Sequence, residues 1–258
     1  MLQLKTGIPL AAINQPLKQA LPIAHELGVQ GIELNARTEL RPSELSKTGV
    51  RHLRKLLQDY NLQVCSVTFP TRRGFGIAQD LEQRLDATKA ALRMAFDLGC
   101  NHVSNFVSVA SEGTEATILN EAMTDLANFG QRIGARFAIR TRQDSGEVLN
   151  QFINSLPPTG IVVDFDPAEL LIHKHSAVES LTALAEHVVH FRARDAVHDL
   201  SLGKALAVQL GRGSNDWPSL LGKLEEYQYT GFLTIDPQNI NALDEAKESL
   251  EYLQNLFN

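Results

Sequence analysis

The 258-residue sequence predicts a single (β/α)8 TIM barrel spanning residues 1–258. Three observations support this fold class. The length matches the roughly 250 residues of such a barrel. Short β-rich runs alternate with longer helical patterns from end to end, as in repeated βα units around a parallel sheet. Eight such pairs share the chain at about 32 residues each, without a low-complexity tract or an interdomain linker.

Eight short runs rich in apolar and β-branched residues predict the strands. Several are apolar enough to be covered on both faces, which is typical of a parallel sheet surrounded by helices. The predicted strands are Lys5–Pro9, Gly31–Asn35, Gln63–Thr68, His102–Val107, Arg136–Arg140, Gly160–Phe165, Val188–Arg194 and Gly231–Asp236.

The segments between the strands show helical periodicity, because apolar residues recur there at steps of three and four. One such face consists of Leu81, Leu85, Thr88, Leu92, Ala95 and Leu98. Gly28 and Gly99 follow the last apolar positions of two helices and predict their C-terminal ends. Pro22 predicts that the first long helix either begins near this residue or kinks there.

Two acidic residues predict helix N-termini. Asp144, with Glu147 three residues later, resembles a capping box that opens the helix after the fifth strand. Asp216, directly before Trp217 and Pro218, predicts an N-cap with an early-helix proline. These residues therefore serve folding rather than chemistry.

Two long connections follow predicted strand ends, at the rim where TIM barrels place their functional residues. The first runs from Pro70 to Asp80 and contains Arg72 and Arg73. It has two interpretations, a cationic lid that closes over a substrate and a polar surface loop. The second connection runs from Asp195 to Asp216.

Composition narrows the functional classes. The formal net charge is −6, so the chain lacks the basic surface expected of a nucleic-acid partner. Cys65 and Cys100 match no metal or redox spacing, which favours a reduced, cytoplasmic protein. The first residues are too weakly apolar for a signal peptide or a membrane span, so no membrane partner is expected. Homodimerisation is left open.

Four segments in the second half of the chain combine aspartates, loop glycines and strands in a fixed order. They are Val162–Leu171, Val189–Ala196, Leu210–Pro218 and Tyr229–Asp236. Together they resemble the xylose isomerase-like barrel superfamily, which includes sugar-phosphate isomerases and epimerases and endonuclease IV-type enzymes. The resemblance implies a TIM barrel that acts on a sugar or sugar phosphate.

The resemblance also implies a metal site that this sequence does not reproduce. Metal-dependent members use glutamate, aspartate, histidine and glutamate on strands five to eight. The corresponding residues here are Arg140, Asp166 (or Asp164 if the register slips by two), Arg192 and Asp236. Arginine has no lone pair to donate and stays protonated, so a divalent cation such as Mn²⁺ or Mg²⁺ is disfavoured. We therefore predict a degenerate metal site and no cofactor.

Two interpretations of the arginines remain open. In the first, they bind a small anionic or sugar ligand, because a guanidinium matches carboxylate and phosphate geometry. The predicted substrate-binding residues are Arg140, Arg192, Arg194, Arg72 and Arg73, and the predicted catalytic residues are Asp236, Glu33 and Asp166. In this interpretation a carboxylate acts as the base and an arginine stabilises the developing negative charge.

In the second interpretation Arg140 and Arg192 pair across the barrel mouth and plug an inactive barrel, with Asp166, Asp236 or Glu33 as their partners. An unpaired arginine beside an open pocket would favour ligand binding, and complete pairing would favour the plug. A third reading, a DNA repair enzyme, lacks both the ligands and the basic surface. His190 is predicted to be a hydrogen-bonded core residue, and His173 and His175 are predicted to lie at the surface.

Overall fold

The computed structural model describes residues 5–109, 112–158, 160–199, 204–238 and 241–257. Eight parallel strands form a closed barrel, which confirms the predicted single (β/α)8 fold. The barrel strands are β1 (Lys5–Pro9), β2 (Gly31–Asn35), β3 (Gln63–Thr68), β4 (His102–Phe106), β5 (Arg136–Arg140), β6 (Ile161–Phe165), β7 (Val188–Ala193) and β10 (Phe232–Ile235). Four match the predicted bounds and the other four differ by one residue at one or both ends.

Helices surround the barrel on its outer face. They are α1 (Leu10–Ile13), α2 (Leu17–Leu27), α3 (Lys47–Asp59), α4 (Leu81–Asp97), α5 (Thr114–Ile133), α6 (Gly146–Asn154), α7 (Pro167–Ile172), α8 (Ala177–Leu184), α9 (Trp217–Glu226) and α10 (Ala242–Phe257). Within the described ranges, none of them is long and apolar enough to cross a membrane.

A β-hairpin follows β7, where the sequence predicted only a long loop. Its strands, β8 (Asp195–Asp199) and β9 (Lys204–Val208), pair antiparallel from Asp195 opposite Val208. The hairpin packs against α7, outside the barrel. The loop interpretation was wrong because β8 begins two residues after β7 ends, so no break in the sequence separates the barrel strand from the hairpin strand.

Helix ends follow local backbone chemistry in most places. Asp216 caps α9 by accepting a hydrogen bond from the Ser219 amide at 3.1 Å, as predicted. Gly28 ends α2 with a φ of 86°, a left-handed conformation that glycine adopts without strain. The helix α2 begins at Leu17, well before Pro22, so the alternative that it starts near this proline was wrong.

The predicted capping box at Asp144 and Glu147 was also wrong. Ser145 is the N-cap of α6 and accepts a hydrogen bond from the Val148 amide at 3.4 Å. The Asp144 carboxylate instead accepts from the Val109 amide at 3.1 Å, far away in sequence. This contact ties the loop after β4 to the loop after β5, which a local sequence pattern cannot anticipate.

Strand alternation separates an apolar outer layer from a polar barrel interior. On β7, Phe191 points outward, stacks on Phe165 with ring centres 5.1 Å apart, and contacts Trp217 of α9 at 6.0 Å. Burying each such ring contributes about 2 kcal/mol of hydrophobic stabilisation. His190 and Arg192 point inward, as the alternation predicted, so the charged residues of β7 enter the barrel.

Candidate functional site

The functional candidates lie at the carboxyl ends of the strands, the rim where TIM barrels hold their active sites. We call this group of charged side chains the arginine cluster. Its arginines are Arg140, Arg142, Arg192 and Arg194, and its carboxylates are Glu33, Asp164, Asp166, Glu169 and Asp236. Every arginine of the cluster is within ion-pair distance of at least one carboxylate.

Arg192, on β7, is the innermost cation of the cluster. Its two terminal nitrogens donate to the two oxygens of Glu33 at 3.1 and 2.6 Å, and its Nε donates to Asp164 Oδ2 at 2.9 Å. The residue is only 1% exposed. Burial lowers the pKa of a guanidinium, but the two carboxylates outweigh burial and hold the pKa of Arg192 well above its ordinary value. In this arrangement each nitrogen of the Arg192 guanidinium already donates to a buried carboxylate.

Asp164, on β6, is the buried carboxylate that connects Arg192 to the barrel interior. It accepts from Ser104 and lies 2.7 Å from His190 Nδ1, whose Nε2 lies 2.7 Å from the Thr234 hydroxyl. Burial raises the pKa of Asp164, yet the charge of Arg192 and the contact with His190 hold this pKa well below its ordinary value. The prediction that His190 is a hydrogen-bonded core residue is therefore confirmed.

Asp166 lies directly after β6, one step nearer the rim than Asp164. Its Oδ2 accepts from Arg140 Nε at 3.0 Å and from Arg194 Nη1 at 2.6 Å, while Oδ1 accepts from the Glu169 amide and caps α7. Burial raises the pKa of Asp166, but Arg194 and Arg140 outweigh burial and lower it. The open register question thus has a simple structural answer, since both aspartates belong to the cluster and each binds a different arginine.

Asp236, directly after β10, forms the solvent-facing edge of the cluster. Its side chain is 27% exposed, and its Oδ2 lies 3.6 to 4.0 Å from nitrogens of Arg194, Arg140 and Arg192. Among the described residues, no hydrogen bond reaches this carboxylate. Burial raises the pKa of Asp236 above its ordinary value, although the three arginines act to lower it. Asp236 is therefore the proton acceptor of the cluster that remains open.

The other predicted catalytic residues are engaged by arginines. Glu33 is only 6% exposed, and Arg192 occupies both of its oxygens. Asp166 is fully buried and its lowered pKa makes it a poor base. Of the three predicted catalytic carboxylates, Asp236 alone combines an open oxygen with a raised pKa.

The predicted lid residues lie apart from the arginine cluster. Arg73 is exposed and pairs with Asp80 at 3.4 Å, within its own loop. Arg72 is exposed on the same loop, and both residues line a rim cavity of about 310 Å³ whose lining contains no member of the cluster. The structure therefore brings Arg140, Arg192 and Arg194 together but not Arg72 and Arg73.

Several residues of the site carry no signal in the sequence. Ser104 and Thr234 are ordinary strand residues, yet they contact Asp164 and His190 inside the barrel. Phe106 lies at the end of β4, where the guanidinium groups of Arg140 and Arg142 lie 5.0 and 4.8 Å from its ring centre. In the sequence, only the inward-facing strand positions of Ser104, Thr234 and Phe106 indicated that these residues could belong to the site.

The donor set does not fit a divalent cation. The described residues contain no group of three histidines, cysteines or carboxylates arranged to hold a metal. The acidic positions of strands six and eight remain, but arginines stand at the positions of strands five and seven. The guanidinium groups already engage the carboxylates Glu33, Asp164 and Asp166, and they repel a second cation.

His102, at the start of β4 below His190, predicts a pH effect on stability. Burial, then the charge of His190, lowers the pKa of His102 to about 3. Since the unfolded chain binds a proton near pH 6.5 and the folded chain does not, stability falls as the pH drops below 6.5. We expect His102→Gln to reduce the loss between pH 7 and pH 5 by about 2 kcal/mol.

Urea unfolding of both proteins at the two pH values measures this effect. His52→Gln, which replaces an exposed histidine of α3, is the matched control and should leave the wild-type loss unchanged. Equal losses in wild type and His102→Gln would show that His102 does not hold this lowered pKa.

A closed parallel barrel surrounded by helices, with charged side chains at its carboxyl rim, is the architecture of a TIM barrel. The family model for the xylose isomerase-like TIM barrel matches residues 21–256. The chain belongs to this family. A search of curated proteins gives no significant match.

Solved structures with the same fold cover nearly the whole chain. A xylose isomerase domain protein from Planctomyces limnophilus is 20% identical, with a TM-score of 0.83 over 99% of this chain and 96% of that one. A 3-keto-D-glucoside 4-epimerase from E. coli is 12% identical, with a TM-score of 0.78 over 98% and 100% of the two chains. A xylose isomerase-like protein from Mycobacterium smegmatis, in complex with magnesium, is 14% identical, with a TM-score of 0.77 over 99% and 96%. At these identities the likeness establishes the fold alone.

Proposed function

We propose that this chain is a metal-independent barrel of the sugar isomerase and epimerase type, which binds a small sugar-like ligand at the Asp236 edge of the arginine cluster. The observation that supports it best is the position of Arg192, whose guanidinium lies between Glu33 and Asp164 with Asp236 at 4.0 Å. A fixed protein cation thus lies among the carboxylates, and the one partly open carboxylate faces solvent.

The charge balance favours a neutral, hydroxylated ligand over the anion that the sequence suggested. Four arginines of the cluster contact five carboxylates, so no surplus positive charge remains to attract a phosphate or a sugar acid. The Asp236 carboxylate can accept hydrogen bonds from sugar hydroxyls. Arg140 is 14% exposed beside it and can donate to a carbonyl or hydroxyl oxygen.

The same edge suggests a chemical role. A carboxylate with a raised pKa is a better base, and a guanidinium within 4 Å can stabilise the negative charge that develops on a carbonyl oxygen. We therefore assign Asp236 as the base that removes a proton next to a sugar carbonyl, with Arg140 and Arg194 stabilising the enolate. Arg192 acts through Glu33 and Asp164 as a positioning residue.

A second candidate function is a non-catalytic barrel whose former active site is plugged. It is favoured by the full engagement of Arg192 and by the carboxylate contacts of Arg140 and Arg194. In this case the rim binds neither metal nor sugar, and the protein acts through another surface.

Calorimetric titration separates these functions. With EDTA present, we expect the wild type to bind a neutral ketose and Asp236→Asn to bind it at least about tenfold more weakly, the cost of one charge-assisted hydrogen bond. Deuterium uptake next to the ketose carbonyl in D₂O, followed by NMR, should be catalysed by the wild type and lost in the variant. Silence in both experiments would support the plugged barrel.

A Mn²⁺ titration tests the metal prediction in the same protein. We expect no binding by the wild type and measurable binding by Arg140→Glu/Arg192→His, which restores the acid and histidine of metal-dependent relatives. Arg142→Glu is the matched control, because it reverses a half-exposed cluster charge without supplying a ligand at these positions. Tight binding of Mn²⁺ by the wild type would refute the proposal.

A further inference from the structure

The N-terminal mouth of the barrel contains a cavity of about 490 Å³, at the end opposite the arginine cluster. Its wall is built from the first residues of β3, β4, β5, β7 and β10 and from the loops that precede β4, β7 and β10. This volume lies within the range of small-molecule sites, roughly 300 to 1,000 Å³. None of the residues proposed for the sugar site lines it.

Arg136 supplies an uncompensated positive charge to this cavity. It is the first residue of β5 and is half-buried, and burial lowers its pKa. Its guanidinium forms no ion pair, hydrogen bond or ring contact with any residue that the structure describes. This contrasts with Arg140 at the other end of the same strand, which is bonded to Asp166. A half-buried guanidinium without a counter-ion can form charge-assisted hydrogen bonds with an anion that reaches it.

His102 provides a second, independent indication of a ligand. It lies in register with Arg136 on the neighbouring strand and lines the same cavity. The residue is 3% exposed, and its Nε2 is buried without a hydrogen-bond partner among the described residues. Buried polar nitrogens normally have partners, because leaving one unpaired costs about 1 to 3 kcal/mol. The cavity wall therefore contains a guanidinium and a buried imidazole nitrogen, and neither has a partner among the described residues.

The remaining lining defines the chemistry of the ligand. Lys223 also lines the wall but pairs with Glu226 at 2.8 Å, and Glu186 is an acidic lining residue that forms no ion pair with Arg136. Phe232 and Tyr227 add aromatic surface. The site thus combines one available guanidinium with an aromatic wall, which suits a molecule that has one carboxylate and a flat apolar body.

We propose that the N-terminal mouth is a second binding site, which takes a small aromatic carboxylate with its carboxylate on Arg136 and a polar substituent near His102. This site lies at the opposite end of the barrel from the sugar site and shares no lining residue with it.

Benzoate is the probe, and benzamide, which has the same ring without the charge, is its comparator. In protein labelled with ¹⁵N-histidine, we expect benzoate to shift the ring signals of His102 in a saturable way and benzamide to bind at least about tenfold more weakly. Arg136→Gln should weaken benzoate binding by about tenfold or more. Arg132→Gln, an exposed arginine of α5, is the matched control and should bind like the wild type.

Benzoate binding by two further variants tests the roles of the two ends of the barrel. If Arg136→Gln fails to fold, Arg136→Lys retains the charge without the planar fork and should bind benzoate with intermediate affinity. Asp236→Asn should bind benzoate like the wild type, because it alters the opposite rim. Unmoved His102 signals, equal affinity for benzamide, or unchanged binding by the Arg136 variant would each refute the N-terminal site.

Discussion

Replacing Arg192 with methionine should lower the free energy of unfolding by about 3 to 5 kcal/mol. The substitution keeps an unbranched apolar stem but removes the cation bonded to Glu33 and Asp164. Both carboxylates are buried, so neither is compensated by water. Breaking a buried pair in this way is far costlier than losing a surface ion pair, which contributes at most about 1 kcal/mol. Urea unfolding at pH 7 measures the difference.

Two variants test whether the unpaired charges cause the loss. Arg142→Met removes a half-exposed arginine that pairs with Glu169 at 3.3 Å, and it should cost less than about 1 kcal/mol. Arg192→Met/Glu33→Gln/Asp164→Asn removes both stranded charges and should recover more than half of the loss. A cost below about 1 kcal/mol for Arg192→Met alone would mean that the cluster does not stabilise the fold.

Acidification should reduce the difference in unfolding free energy between the wild type and Arg192→Met. In the wild type the pKa of Asp164 is held well below normal, so its contribution is present above about pH 4 and is lost as the pH falls further. Without Arg192, burial dominates and raises the pKa of Asp164, so this residue takes up a proton as the pH falls and the unpaired charge disappears. The stabilities of the two proteins should therefore converge between pH 7 and pH 4.

The fold was predictable because the parallel strands are short, apolar and regularly spaced. Buried strands such as Ile161–Phe165 differ sharply from the amphipathic helices around them, and Gly28 marks a helix end through its own backbone freedom. The hairpin of Asp195–Asp199 and Lys204–Val208 was missed because its first strand begins two residues after β7 ends, with no break in the sequence between them. Its stability comes from packing on α7, which is a tertiary effect.

The location of the site was predictable but its pairing was not. Alternation along β5 and β7 places Arg140 and Arg192 at inward-facing positions near the rim, and this alternation can be recognised in the sequence. Which carboxylate each arginine binds depends on distances across the barrel. The sequence suggested Asp166, Asp236 and Glu33 as partners. Arg192 does bind Glu33, but its second partner is Asp164 rather than either of the other two. Loop side chains such as Arg73 were the least predictable, because local contacts with Asp80 decide their direction.

Replacing Asp195 with alanine should lower the free energy of unfolding by about 4 kcal/mol or more. This residue follows β7, is 1% exposed, and its carboxylate organises the loop that leads to α9. Its Oδ2 accepts from the Gly211 and Gly213 amides at 3.3 and 3.1 Å and from Trp217 Nε1 at 3.1 Å. Its Oδ1 accepts from the Ala196 and Asn215 amides at 2.9 and 3.2 Å and from Asn215 Nδ2 at 3.0 Å.

The loss is large because all the N–H groups that donate to Asp195 lose their acceptor at once. Each buried N–H left unpaired costs about 1 to 3 kcal/mol, and the indole of Trp217 is fully buried. Asp195→Asn separates hydrogen bonding from side-chain size. Its NH₂ group replaces one acceptor oxygen and directs N–H donors at backbone N–H groups, which are donors themselves. We therefore expect Asp195→Asn to recover less than half of the unfolding free energy that Asp195→Ala loses. Urea unfolding monitored by fluorescence of Trp217, the single tryptophan of the chain, reports the loss where it arises.

Asp216→Ala is the matched control for Asp195→Ala. It removes the neighbouring aspartate, whose carboxylate caps α9 at the surface, and should cost only about 1 kcal/mol. Gly213→Ala tests the same carboxylate by displacing it instead of removing it. An added Cβ at Gly213 would lie 1.9 Å from Asp195 Oδ1 and force the carboxylate away from its donors. If Asp195→Ala costs no more than Asp216→Ala, the loop is held by its backbone and by Trp217 packing, and the carboxylate is dispensable. A large loss in both Asp195→Ala and Gly213→Ala, with no added loss in the double variant, would identify the carboxylate as the shared cause.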